Sequence, residues 1–409
     1  MNLIISGGSV IDPASGVIKR DISIEGDRIA STASTPCEIH GAAGKYIAPG
    51  IIDLGVFSVD RPAFIAGGIT RIALMPDQSP PLDDPAAVQR AALAAKPDLW
   101  VHPLGAATGN LAGQELAEYA LMARAGAKAI ATGRGWIPDS GVMRRVLAYA
   151  ASLGLAVIAH AEDGGLIAHA VATDGETATR LGLVSAPAAA EAMAIARDLA
   201  LVEQTGARLH FRQVTTAHGF DLIRAAKARG LLVTCGITPA HLFLSDIAIS
   251  NFRTFAKLSP PLRSQSDRQA AIEAIRDGTI DILCSGHDPC GPEAKRLPFA
   301  EAAPGMAGAE TLLALGLGLV RDKVIGLPHL FRLLSTNPAT LLGVEGGTVA
   351  PGAPADLVIF DPETPWQIDG DRFAAAANNT PFDKMPTQGR VLHTIKGGRV
   401  LDPKSAIFA

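Results

Sequence analysis

The sequence is poor in cysteine, in excess charge of one sign and in long apolar runs. Its four cysteines, Cys37, Cys235, Cys284 and Cys290, form no CxxC pair, which excludes a disulfide scaffold and a zinc ribbon. A net charge of −4 lacks the basic excess typical of a nucleic-acid binder. The longest apolar run, 312–320, is shorter than the roughly 20 residues of a membrane span.

Apolar residues are abundant, at 48% of the 409 residues, which excludes a disordered chain because such chains cannot bury enough apolar surface. The 42 glycines and 28 prolines predict many tight connections. The first residues lack the basic segment and cleavage site of a secretory signal. We therefore expect a compact cytoplasmic protein that binds neither nucleic acid nor membrane.

Short apolar runs alternate with helical patterns through the middle of the chain. Most of these runs are continuous, as expected for parallel strands buried on both faces. The eight predicted strands are 51–57, 70–75, 99–105, 127–131, 155–161, 208–215, 231–236 and 280–286. Helices are predicted between them, including 187–203 and 266–277, the second with a serine cap. Eight such units predict an α/β fold, a (β/α)8 TIM-type barrel over 51–344; a doubly wound open sheet is the competing fold.

The two ends of the chain have a different pattern. Residues 2–29 alternate in the manner of β-hairpins, with turn signals at Gly7-Gly8 and Gly26-Asp27. The segments 355–360 and 391–400 look the same. Residues 1–50 and 345–409 are therefore predicted to build one small composite β-sandwich domain from both termini.

The ends of the predicted strands are where a barrel carries its catalytic groups. Hydrolytic barrels often hold Zn²⁺ there, which requires three or more converging His, Asp, Glu or Cys side chains. Strand 5 ends in His160 and strand 8 in His287-Asp288; these three are the weak metal candidates. His210 and His241 also lie near strand ends, yet no HxH or HExxH pattern links any of the ten histidines.

A structural interpretation competes with the metal site. Single histidines in polar barrel loops are commonly just hydrogen-bonded, and Cys284 on strand 8 has the character of a buried inert thiol. Cys290 falls in a loop and is less constrained. No GxGxxG, GxxxxGK[ST] or GxSxG motif is present, so no dinucleotide site, phosphate loop or nucleophile elbow is indicated. The residues alone therefore nominate no catalytic residue.

A set of motifs along nearly the whole chain resembles the dihydroorotase family of the amidohydrolase superfamily. The matching stretches, in order, are APGIIDL (48–54), GGIT and MPDQSPP (67–81), VIAHAED (157–163), AEAMAIARDLAL (190–201), SPPLRSQSDRQA (259–270), DGTIDIL (277–283), APGMAGAETLL (303–313), STNPATLLG (335–343), GAPADLVIFDP (352–362) and NNTPF (378–382). The resemblance implies the barrel and the terminal β-domain.

The resemblance also implies where the metal ligands of that family belong, and most of those positions hold other residues. The two histidines of HxH correspond to Gly55 and Phe57, the bridging strand 4 residue to Gly133 or Arg134, the strand 6 histidine to Gln213 and the strand 8 aspartate to Gly286. Only the strand 5 histidine is kept, as His160. One imidazole cannot hold zinc without further donors.

The positions implied for substrate binding differ as well. The family's arginine corresponds to Val59, unless Arg61 reaches back, and its asparagine corresponds to Asp77. A carboxylate at that position would repel the carboxylate of dihydroorotate by about 4 kcal/mol at roughly 4 Å and an effective dielectric of about 20.

Three functions follow as hypotheses. The first is a catalytically inactive dihydroorotase-like protein of pyrimidine biosynthesis, without a cofactor, acting as a structural or regulatory partner of aspartate transcarbamoylase. The second is an active dihydroorotase or other cyclic-amide hydrolase with a rearranged zinc site. The third is a sensor that binds an anion through Arg134 and Arg212. A homo-oligomer is compatible with each.

Overall fold

The computed structural model describes residues 2–32 and 36–402; the remainder of the predicted terminal domain lies outside these ranges. Eight parallel strands follow one another around a barrel in chain order, so the predicted α/β barrel fold is confirmed. The strands are Ile51–Val56, Ile69–Leu74, Trp100–Ala106, Ala129–Ala131, Ala156–Ala159, Arg208–Phe211, Val233–Ile237 and Ile282–Leu283. Each lies within or close to a predicted strand.

The first and eighth strands are the two edges of this sheet, and side-chain bonds bridge the seam between them. The Asp53 carboxylate accepts hydrogen bonds from the backbone N–H of Ser285, at 2.8 Å, and from its hydroxyl. Beyond this pair, the Phe57 N–H donates to the carbonyl of His287 at 3.0 Å. The Cys284 N–H still donates to the carbonyl of Ile237 on the seventh strand. The eighth ladder is shorter than predicted because the N–H groups of Ser285 and Asp288 donate instead to Asp53 and to the carbonyl of Met306.

Helices and short connecting turns surround the barrel. The α-helices are Arg61–Ala66, Pro85–Leu93, Tyr119–Ala125, Ser140–Ser152, Gly164–Ile167, Glu176–Leu181, Ala189–Thr205, Ala217–Ala228, Pro239–Phe243, Gln265–Arg276, Pro292–Lys295, Leu312–Arg321, Leu327–Phe331 and Asn337–Leu342. One π-helical turn, Arg332–Thr336, joins the last two, and 3₁₀ turns occur at Gly109–Leu111, Asp246–Ile249, Thr254–Ala256, Ala309–Thr311 and Gly370–Arg372. None of the helices in the described ranges is long and apolar enough to cross a membrane.

Both helices predicted from their pattern are present, as Ala189–Thr205 and Gln265–Arg276. The serine cap of the second helix is Ser264 rather than Ser266, since the Ser264 hydroxyl accepts the backbone N–H of Asp267 at 3.1 Å. The helix begins earlier than predicted because the earlier serine satisfies that otherwise unpaired N–H.

Two apolar layers build the barrel. The outer layer packs the helices onto the strands, and the inner layer fills the barrel with alternate strand residues, as expected for a packed interior. Members of the inner layer are Ile52, Leu54, Ala73, Leu104, Ile158, Ile282 and Cys284. The barrel interior is therefore a packed core, and active sites of this architecture lie at the C-terminal mouth.

Strands from both ends of the chain form a β-sandwich region beside the barrel. One sheet orders Arg28–Ala30, Ile22–Glu25, Asn2–Ser6 and Glu38–Gly41. The other orders Arg399–Leu401, Pro386–Lys396, Leu357–Gln367, Tyr46–Pro49, Ser9–Asp12 and Gly16–Lys19. A separate two-stranded pair joins Ala172–Thr173 and Ser185–Ala186. Apolar side chains such as Ile5, Ile47 and Leu357 form the core of this region.

A buried ionic cluster joins the sandwich region to the barrel. The Asp356 carboxylate accepts Arg71 Nε at 2.8 Å and Lys396 Nζ at 2.7 Å, and each side chain is at most 4% exposed. Burial lowers the pKa of Lys396 to about 8, although the negative charge of Asp356 favours the protonated form. Arg71 belongs to the second barrel strand and Lys396 to the sandwich, so one carboxylate holds the two regions together.

Candidate functional site

The mouth of the barrel contains a cavity of about 30 Å³. It lies where the carboxyl ends of the strands meet, which is the position of active sites in this architecture. The residues that line it include Phe57, Arg134, Arg212, Gln213, Gly286 and Asp288. Four of these are positions to which the resemblance assigns metal ligands: Phe57, Gln213, Gly286 and, as the alternative to Gly133, Arg134.

Arg212 occupies the centre of this mouth. It follows the sixth strand, its side chain is 4% exposed, and its Nη2 lies 3.4 Å from Nδ1 of His160. Its guanidinium carbon lies 5.0 Å from the centroid of the Phe57 ring. Among the described residues, no carboxylate oxygen is within 4.0 Å of this guanidinium. Burial lowers the pKa of Arg212, because desolvation disfavours its charged form.

A second arginine packs on Phe57. The guanidinium carbon of Arg134 lies 3.8 Å from the ring centroid, so both arginines make cation–π contacts with one ring. Arg134 also binds the Asp288 carboxylate through both terminal nitrogens, at 2.5 and 2.9 Å, and its backbone N–H donates to Asp77 at 2.9 Å. Asp77 and Asp288 therefore hold Arg134 in place.

His160 has partners at both ring nitrogens. Nδ1 faces Arg212, which can only donate, so Nδ1 is the acceptor. Nε2 then carries the hydrogen and faces Glu162 Oε2 at 3.3 Å. Glu162 also binds Arg263 at 2.6 Å. Although burial opposes the charged form, the hydrogen bond from His160 and the charge of Arg263 lower the pKa of Glu162 to about 2. The one retained family ligand thus belongs to a hydrogen-bonded chain.

The other strand-end histidines have separate partners. His210 Nδ1 lies 2.9 Å from the Thr234 hydroxyl. His241 lies 2.8 Å from the Thr238 hydroxyl and 3.1 Å from the carbonyl of Pro260. His287 Nε2 is 3.5 Å from Asp60 Oδ2. The structure thus does not bring His160 and His287 into one ligand set with Asp288, which pairs with Arg134.

Glycine stands at three of the lost ligand positions, and each has a positive φ. The values are +81° at Gly55, +82° at Gly133 and +61° at Gly286, a region that side chains other than glycine rarely adopt. A Cβ at Gly55 would lie 3.0 Å from Cδ of Arg212, and one at Gly133 would lie 2.9 Å from Asp77. Side chains of Arg212 and Asp77 therefore occupy the space that a ligand side chain at Gly55 or Gly133 would need.

Neither of the two positions that the resemblance assigns to substrate binding provides a group that could bind the carboxylate of a substrate. Val59 is 36% exposed, and Asp77 is bound to the backbone of Arg134. Arg61 does not reach back, since it pairs with Asp98 at 3.4 Å and is not among the residues that line the mouth.

The donor set does not fit a zinc ion. Within residues 2–32 and 36–402, no group of three or more His, Cys, Asp and Glu side chains is arranged to hold a metal. Burial raises the pKa of Cys284 to about 12, so this thiol is no ready ligand. The ligand positions implied by the resemblance stay a prediction.

Two features of the mouth are not predicted by the sequence. The resemblance identifies Phe57 only as the position of a missing ligand, whereas its ring packs against both Arg134 and Arg212. The buried chain from Glu162 through Arg263 to Glu191, with the last two 3.6 Å apart, was also missed. Its signal was present in the VIAHAED and PPLR motifs, which contain Glu162 and Arg263.

Comparison with known proteins agrees with this architecture. The chain is 38% identical to a dihydroorotase of Geobacter metallireducens, covering 98% of this chain and 99% of that protein. It is 39% identical to a dihydroorotase of Pelotomaculum thermopropionicum, covering 98% of both. Among solved structures, the L-hydantoinase (dihydropyrimidinase) of Arthrobacter aurescens superposes with a TM-score of 0.86 at 26% identity, covering 97% of this chain and 95% of that one.

The profile of the amidohydrolase family matches residues 63–401, which span most of the barrel and the C-terminal part of the sandwich region. With the fold, the motif order and the relatives in agreement, this chain belongs to the amidohydrolase family and is a homologue of dihydroorotases.

Proposed function

We propose that this chain is a dihydroorotase homologue of pyrimidine biosynthesis that does not hydrolyse dihydroorotate and acts as a structural or regulatory partner of aspartate transcarbamoylase. The observation that carries the first part is Arg212, whose guanidinium contacts the retained His160 and the Phe57 ring. The guanidinium of Arg212 lies beside His160, in the region where the resemblance implies that ligands converge on a metal ion.

The charge of Arg212 works against a metal there. A guanidinium and a divalent ion about 4 Å apart repel by about 8 kcal/mol at an effective dielectric of about 20. His160 would also have to release Arg212 or Glu162 before one of its ring nitrogens could ligate. The nearest thiol and carboxylate of the mouth, Cys284 and Asp288, are respectively buried as a neutral group and paired with Arg134.

The partner role rests on the resemblance to dihydroorotase-like proteins that associate with aspartate transcarbamoylase. The hydantoinase structure superposes on 97% of this chain, while the described residues of the mouth contain no ligand set for a metal. A docking protein needs the outer surface of the barrel and not its mouth. A partner that binds only the folded chain would also make the stability of each depend on the other.

The decisive test is dihydroorotate hydrolysis by the purified protein, with zinc supplied and an active dihydroorotase assayed alongside. We expect no turnover. The partner role is tested by mixing the protein with aspartate transcarbamoylase from the same organism and following both by size-exclusion chromatography. We expect co-elution at a larger size; separate elution at micromolar concentrations would contradict the partner role.

The second candidate, an active dihydroorotase or another cyclic-amide hydrolase, is favoured by 38–39% identity to proteins named dihydroorotase over 98% of the chain. It requires Arg212 to leave the mouth and His160 to find new companion ligands. Zinc-dependent turnover that is lost in His160→Gln would establish this candidate and overturn the inactive one.

A further inference from the structure

Arg212 carries a buried charge that lacks a counter-ion. A buried guanidinium without an ionic partner is unfavourable, because its lost hydration is not replaced. Its contacts are the imidazole of His160, at 3.4 Å, and the ring of Phe57. Both interact with the guanidinium more weakly than an anion would, and Nε of Arg212 has no hydrogen-bond partner within the described part of the chain.

The neighbouring Gln213 is in the same situation. Its side chain is 5% exposed, and its amide oxygen has no hydrogen-bond partner. Arg212 and Gln213 both line the mouth cavity. Two adjacent residues at the lining of one small space thus carry polar atoms without a hydrogen-bond partner among the described residues, a donor on Arg212 and an acceptor on Gln213. Such groups are normally satisfied by a bound molecule or ion.

The other charges around the cavity do not supply the missing anion. Asp288 binds both terminal nitrogens of Arg134, and one oxygen of Asp77 accepts the Arg134 backbone N–H. His241 is neutral at pH 7, since burial lowers its pKa to about 4. Arg212 is therefore the cation of the mouth that lacks a carboxylate partner among the described residues, while the second oxygen of Asp77 is itself an unpartnered acceptor.

The size of the cavity limits what can enter. A volume of about 30 Å³ accommodates about two water-sized bodies, which matches a planar oxyanion of three or four heavy atoms. A guanidinium binds such anions through parallel N–H groups. The amide nitrogen of Gln213 can donate to the same anion, and its oxygen can accept the hydroxyl of bicarbonate.

We infer that the barrel mouth binds a small monovalent oxyanion, of the class of formate or bicarbonate, against Arg212 and Gln213. This inference rests on the proposed function, because it requires a mouth without metal. Because the anion binds only the folded protein, the stability of the fold depends on the concentration of the anion. The site differs from the substrate-carboxylate positions of the family, which correspond to Val59 and Asp77.

The test is thermal unfolding of the metal-depleted full chain in mixtures of sodium chloride and sodium formate at constant ionic strength. We expect Tm to rise saturably by about 1–3 °C as formate replaces chloride. The rise should be absent in Arg212→Met, which keeps the packing of the stem, and reduced in Gln213→Met. Arg208→Met, at the other end of the same strand, is the matched control and should respond like the wild type.

A wild-type Tm that is equal in every mixture, or a rise that persists in Arg212→Met, would overturn the inference. Replacing formate by bicarbonate at constant pH identifies the preferred oxyanion by the larger shift. Zinc-dependent hydrolysis would contradict the proposed function alone, because the anion readout uses metal-depleted protein. Absence of both hydrolysis and an anion response would contradict this inference alone.

Discussion

At the scale of single residues, Gly55 shows why a histidine does not fit at this position of the mouth. Its φ of +81° and the 3.0 Å approach of Arg212 Cδ to a virtual Cβ mean that a histidine would be strained in two ways. Restoring one family residue therefore conflicts with the residues now around it. The barrel holds a consistent arrangement of arginines and an aromatic ring.

We expect Gly55→His to lower the free energy of unfolding by about 1–2 kcal/mol from the left-handed backbone alone, without producing zinc-dependent hydrolysis. Urea unfolding measures the stability. Gly135→Ala is the control, since Gly135 has no atom within 4 Å of a virtual Cβ and no positive φ. A Gly55→His protein as stable as the control, or one that hydrolyses dihydroorotate, would contradict this account of the mouth.

Glu162 supplies a second residue-scale prediction through its pH dependence. Its folded pKa of about 2 lies below the ordinary 4.5, so its ionised form stabilises the fold above pH 4.5. That contribution is lost as pH falls from about 4.5 toward 2. Glu162→Gln should lower the stability at pH 7 by on the order of 3 kcal/mol, because Arg263 loses a partner.

Urea unfolding at pH 7, 5 and 3.5 measures both effects. The wild type should lose more stability than Glu162→Gln between pH 5 and 3.5, so the two proteins should converge in acid. Glu203→Gln, whose pair with Arg229 is exposed, is the control and should track the wild type. Parallel curves for wild type and Glu162→Gln would mean that folding does not lower the pKa of this carboxyl.

At the scale of elements, the seam between the first and eighth strands depends on Asp53. Both its oxygens accept hydrogen bonds from Ser285. Burial raises the pKa of Asp53 to about 6, although these hydrogen bonds favour the ionised form. Asp53→Ala should destabilise the fold by about 2–5 kcal/mol, because the Ser285 N–H and hydroxyl lose a charged acceptor in a buried place. Amide hydrogen exchange should accelerate at Ser285 and His287 before it does elsewhere in the barrel.

Asp12→Ala is a suitable control for the seam, since Asp12 caps an exposed turn by binding Ala14 N and Ser15. Its loss should leave exchange in the barrel unchanged. Uniform acceleration along all strands in Asp53→Ala would show that the seam does not open on its own.

The elements themselves could be predicted because their signals are local. Continuous apolar runs such as 155–161 mark strands buried on both faces, and the structure has a strand at Ala156–Ala159. The mouth could be predicted only in part. A motif can align Gly55 or Gln213 with a lost ligand, but nothing local states that Arg212 would meet a ring from strand 1 and an imidazole from strand 5. Those contacts join residues more than 50 positions apart.

At the scale of the whole molecule, barrel and sandwich are held by the cluster of Arg71, Asp356 and Lys396. Asp356 is the only carboxylate that the structure, over its described ranges, places within 4.0 Å of either cation. Trp100 covers the cluster, with Arg71 and Lys396 each 4.4 Å from its ring centroid. One carboxylate therefore neutralises two buried positive charges.

Asp356→Asn should therefore cost about 3–5 kcal/mol, the loss typical of a buried ion pair that is broken on one side. The double variant Asp356→Asn with Lys396→Met should recover part of this stability, because it removes one of the two stranded cations. Thermal unfolding measures both. Asp361→Asn, on the same strand, breaks an ion pair with Lys45 at the surface and should cost at most about 1 kcal/mol. If Asp356→Asn and Asp361→Asn unfold at the same temperature, the interface is held by its apolar contacts, and the cluster contributes only specificity of docking.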